Sequence, residues 1–92
     1  MTEPSTVIFE VKTVKKRHPG FAVREAVGQL LEYRYFLGPR AAELCIVLDR
    51  QLPDDLVAYV EGELGMMVAW WTTEGLRAAP SSKGRLGLRN FG

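Results

Sequence analysis

The fold is decided in the stretch VIFEVKTVKKRHPGFAVREAVGQLLEYRYFLG, residues 7–38 of a 92-residue chain. Residues 5–13 are rich in β-branched and aromatic side chains, which predicts a strand. Side chains alternate along a strand, so Val7, Phe9 and Val11 share one face and Ile8, Glu10 and Lys12 the other. That second face is apolar at Ile8 and becomes charged toward its C-terminal end, where ligands sit in many α/β sheets. The loop VKKRHPG follows, punctuated by Pro19 and Gly20. From Phe21 to Leu37 the period turns helical, with a broad apolar stripe of Ala22, Val23, Ala26, Val27, Leu30, Leu31 and Phe36, and Gly38–Pro39 ends it.

Working outward, ELCIVLDR (43–50) is an apolar run bounded by charge, suited to a strand buried on both faces. LPDDLVAYVEGELG (52–65) predicts a helix: Pro53 starts it, two aspartates favour its positive end, Gly65 caps it, and Leu56, Val57, Val60 and Leu64 form its buried face. MMVAWWTT (66–73) reads as a third strand. The order β-α-β-α-β implies an α/β fold with a small, mostly parallel or mixed sheet and helical crossovers. Residues 1–79 read as one domain. Residues 80–92 read as a basic, loosely ordered tail, rich in glycine with little periodicity. No internal repeat is visible.

Composition sets limits. Hydrophobic residues are 47% and charged residues 25% of the chain, which fits one small globular domain and excludes disordered and fibrous classes. No apolar run approaches the roughly 20 residues that span a bilayer, and the opening MTEPST has no signal-peptide core. A single cysteine, Cys45, and a single histidine, His18, exclude an internal disulfide and a Cys/His zinc site, and a reducing cytoplasm is the expected setting. Charge is uneven: residues 1–40 carry seven basic and four acidic side chains, residues 41–79 two and seven, and residues 80–92 three and none. The basic opening can face a polyanion, with Lys15, Lys16, Arg17 and Arg24 as phosphate contacts. It can equally be a solvated loop.

Glu10 and Lys12 project from one face of their strand, roughly 6.7 Å apart along the chain. A carboxylate there can bind a divalent metal, and the ammonium beside it can orient a water or stabilise charge on a phosphoryl oxygen. A plain strand end reaching water would present the same two residues. Gln29 and Tyr33, four apart, share a face of the next helix. FEVKT on a strand followed by QLLEY on a helix resembles the second half of the PD-(D/E)XK nuclease superfamily, most closely the RecB-type and lambda-exonuclease-like branch. The resemblance covers roughly residues 5–50. It implies a restriction-endonuclease-like half-fold. It further implies that Glu10 is the metal ligand (Mg2+ or Mn2+), Lys12 the catalytic lysine, and Gln29 and Tyr33 a pair near the active site and the nucleic acid, more often DNA.

The family also places an aspartate on a strand upstream, hairpin-linked to the E-x-K strand. Here only MTEPST precedes, with Glu3 the single upstream acid. One carboxylate makes a weak magnesium site, and a strand without its hairpin partner leaves backbone groups unpaired. The expectation is therefore a homodimer through strand 5–13, or a partner chain that supplies the acid. The alternative is a noncatalytic remnant serving association or nucleic-acid binding. Asp49, at the end of its strand, is a further acid that could approach the site. Trp70 and Trp71 read as core and interface residues, and Cys45 as a small buried hydrophobe.

Overall fold

The structure, a computed structural model, describes residues 6–16 and 18–86. Arg17 and the end of the proposed tail, 87–92, lie outside the described residues, as does Glu3. The elements are β1 (Val7–Lys12), α1 (Pro19–Leu37), β2 (Glu43–Leu48), α2 (Asp54–Ala58) running into a π-helical turn (Tyr59–Glu63), β3 (Met67–Thr72), β4 (Gly75–Ala78) and α3 (Pro80–Arg85). They form a mixed α/β fold around one four-stranded sheet of order β1-β2-β3-β4. β1, β2 and β3 are parallel, with Val7 beside Glu43 and Cys45 beside Met67, and β4 is antiparallel to β3.

Sequential parallel strands joined by right-handed crossovers place both connecting helices on one face of the sheet. The main core lies there. Ala22, Ala26 and Leu30 of α1, Ile46 and Leu48 of β2, Val60 and Val68 are all fully buried in it. The stripe read along α1 is narrower than expected. Leu31 and Phe36 are exposed, because steps of about 100° per residue turn them away from the row of Ala22, Ala26 and Leu30. The opposite face of the sheet carries a smaller cluster of Cys45, Val47, Met67 and Ala69, with Val7, Leu76, Ala78 and Leu86 against it. Phe9, Val11 and Trp71 remain exposed, whereas Trp70 packs on the main core.

Local chemistry explains the boundaries. α1 starts at Pro19, two residues earlier than its periodicity suggests, because His18 is extended and its Nδ1 accepts the Gly20 N–H at 3.0 Å. α2 widens into the π-turn, where the Leu64 N–H reaches back five residues to the Tyr59 carbonyl at 3.1 Å. Gly65, at φ 66°, then supplies the left-handed residue that ends it.

The region after β3 departs from the sequence reading. Thr72 turns the chain in two residues: its hydroxyl accepts from Glu74 N–H (3.1 Å) and donates to the Gly75 carbonyl (2.9 Å). The hairpin makes β4, and α3 follows where a loosely ordered tail was expected. Neither element has a local signal. β4 is four residues without β-branching, and α3, PSSKGR, holds a glycine and two serines, so both depend on tertiary bonds. Ser82 is that anchor. Fully buried, it accepts the Val68 N–H at 2.8 Å just past the end of β4, donates to Glu61 Oε2, and its N–H reaches the same carboxylate at 2.9 Å.

Candidate functional site

Ile8 packs into the main core under α1 while Val7 joins the opposite cluster. Strand alternation therefore turns Glu10 and Lys12 toward α1. Their side chains are 17% and 21% exposed, half-sheltered rather than waving in water. Lys12 Nζ lies 3.8 Å from Glu10 Oε2 and 3.8 Å from Glu25 Oε2. The ammonium thus bridges a strand carboxylate and a helix carboxylate. Glu25 was not singled out in the sequence. The signal was there: it stands four residues before Gln29, on the same helical row.

That row is well defined. Around α1, Glu25, Gln29 and Tyr33 each follow a member of the buried row Ala22-Ala26-Leu30 by three positions, which sets them beside it on the β1 side. On the other flank, Val23 and Val27 line a cavity of about 240 Å³ against Leu56 and Tyr59 of the α2 segment. A crossover helix runs opposite to its strand. Four helical residues advance about 6 Å and two strand residues about 6.6 Å, so the two rows keep step. Lys12 meets Glu25, Glu10 comes opposite Gln29, and Tyr33 falls opposite Ile8, two helical turns from Lys12. Tyr33 is half-exposed, while Gln29 Oε1 is buried with no hydrogen-bond partner. An ionised carboxylate has no proton to give that oxygen, which leaves it suited to a donor or a cation.

The remaining candidates spread out. Lys15 and Lys16 form the exposed turn directly after β1, with Lys15 in the left-handed region at φ 58°. Arg24 lies on the opposite side of α1 from Lys12, its guanidinium 6.0 Å from the Phe21 ring and lining the α1–α2 cavity. Asp49 Oδ1 accepts the Val14 N–H at 2.9 Å and lies 3.7 Å from Arg50 Nε. It fastens the basic loop to the end of β2.

Among the described residues no group of three or more His, Cys, Asp and Glu side chains could hold a metal. Glu10, Glu25 and the Gln29 oxygen are hard donors of the kind magnesium and manganese take, one or two carboxylates being usual. No helix of the described residues is long and apolar enough to cross a membrane. No family model matches the chain, and no curated protein or solved structure matches it either.

Proposed function

We propose that the chain is a metal-dependent nuclease of the PD-(D/E)XK type, or the half of one that carries the E-x-K motif. It would act on nucleic acid, more readily DNA, in a cytoplasmic setting. The observation that carries this reading is the bridge of Lys12 to Glu10 and Glu25 at the end of β1. A merely solvated strand end would leave the Lys12 and Glu10 side chains more open to water than their 21% and 17% exposure.

The residues divide the work. Glu10, with Glu25 as the nearest second acid, would hold Mg2+ or Mn2+, which supplies Lewis-acid activation of a water. Lys12 stabilises negative charge developing on a phosphoryl oxygen, exchanging a carboxylate neighbour for the phosphate. Gln29 and Tyr33 position the backbone, and Lys15, Lys16, Arg17 and Arg24 attract phosphates. A homodimer or partner chain contributes the remaining acidic ligand. The test is cleavage of single- and double-stranded DNA with and without Mn2+. Wild type is expected to cut only with metal and Lys12→Ala to lose at least about 10²-fold. Equal rates for both proteins would remove Lys12 from the reaction.

A noncatalytic module is the second reading, favoured by the ion pairs that already neutralise Lys12. Melting temperature separates the two. Metal at 100 times its dissociation constant stabilises a real site by about 2.7 kcal/mol, and Glu10→Ala abolishes the shift. A noncatalytic module shows no shift in either protein.

A further inference from the structure

β1 is an edge strand: among the described residues it pairs with β2 and with no other strand. Its unpaired backbone can be assigned residue by residue. The Thr6 carbonyl accepts the Glu43 N–H at 2.8 Å. In a parallel ladder successive residues direct their N–H and C=O to alternate sides, so Ile8, Glu10 and Lys12 bond to β2. Val7, Phe9 and Val11 therefore direct both groups outward. The same residues are apolar, and Phe9 and Val11 are 49% and 61% exposed. An apolar strand with a free edge is a template for another strand.

The charges on the other face say which strand fits. Glu10 and Lys12 flank Val11 and carry opposite signs. A two-fold axis at Val11 would pair β1 with an antiparallel copy of itself, Val11 exchanging both backbone bonds with the partner's Val11. Glu10 then lies across from the partner's Lys12, and Lys12 across from the partner's Glu10, on one common face. These are non-hydrogen-bonded positions, where opposed Cα atoms are about 4.5 Å apart and side chains are closest. On the reverse face Val11 and Phe9 cover one another's diagonal neighbours. The sequence of this strand is thus complementary to itself in charge, hydrogen bonding and apolar contact at one register.

We infer that two copies of the chain join edge to edge through β1, antiparallel about Val11, into one continuous eight-stranded sheet. Each Glu10–Lys12 pair is then completed by its counterpart from the partner, and the two candidate sites merge into one charged cluster. This pairing deepens the association part of the proposed function. It is measured as assembly rather than cleavage, so an inactive dimer and an active monomer are told apart.

Sedimentation equilibrium of wild type, Glu10→Lys, Lys12→Glu and the double exchange Glu10→Lys/Lys12→Glu tests it, with circular dichroism reporting each fold. Wild type is expected to dimerise. Each single exchange sets like charges opposite at both reciprocal positions and weakens association about tenfold, and the double exchange restores it. A wild-type monomer at high concentration, or single exchanges that associate as well as wild type, overturns the pairing. Val11→Cys gives a second measurement. Opposed Cα atoms about 5.5 Å apart are within disulfide reach, and the native Cys45 is fully buried. Oxidation should link two chains through position 11, while Val11→Cys that stays monomeric on oxidation overturns the register.

Discussion

Cys45 shows how much the environment of one residue decides. It is fully buried in the middle of β2. Burial pushes its thiol up from 9.0 to about 12, with the positive charge of Arg85 pulling weakly the other way. It is therefore a packing residue and not a nucleophile. Its folded-state value stands above its unfolded one, so the unfolded chain sheds the proton first as pH rises. Its stabilising contribution is complete below pH 9.0 and is lost toward about 12, at about 1.4 kcal/mol per pH unit. Chemical denaturation across this range should show a steeper fall for wild type than for Cys45→Ala. Parallel curves would mean that the thiol ionises freely in the folded state. Charged residues followed a different logic. Glu10 and Lys12 could be read from strand alternation alone. Glu25 shares the helical row of Gln29 and Tyr33, but that spacing alone does not say which strand residue the row meets; the contact with Lys12 does.

Elements whose burial is written in their own period were legible: β1, α1, β2, the α2 segment and β3 all lie where apolar spacing puts them. β4 and α3 were not, and their physics explains why. β4 borrows its order from pairing with β3, and α3 is held by bonds made by Ser82 rather than by propensity. A serine in a glycine-containing stretch gives no sign that it will satisfy a backbone N–H 14 positions away. The consequence is measurable. Ser82→Ala leaves the Val68 N–H without its acceptor and removes one of the two bonds to the Glu61 carboxylate, the backbone one remaining, which costs about 1–3 kcal/mol. For a domain of this size that lowers the melting temperature by about 4–8 °C per kcal/mol. Hydrogen exchange at Val68 should quicken in the variant more than at Ile46 in the centre of the sheet. Unchanged melting and exchange would show that α3 is anchored by other contacts, such as the Arg85–Glu43 ion pair at 2.7 Å.

At the scale of the whole molecule, charge and topology select a direction of approach. Both crossovers lie on one face, so β1 forms one edge of the sheet, and its C-terminal end opens into the lysine turn. Acidic residues gather on the other side of α1, with Asp54 and Asp55 in the first turn of α2. If the chain binds nucleic acid as proposed, the lysine turn after β1 is the expected contact and the Asp54–Asp55 end of α2 is not. Each phosphate neutralised by a bound cation contributes about 0.9 to the slope of log affinity against log salt for duplex DNA. Lys15→Ala and Lys16→Ala should each flatten that slope by about 1 and weaken binding alike across sequences. Arg24→Ala, on the acidic flank, should change the slope by less than either. Fluorescence anisotropy of a labelled duplex titrated at several salt concentrations measures all three. If Arg24→Ala flattens the slope most, the nucleic acid passes over the α1–α2 groove and the lysine turn is not its path.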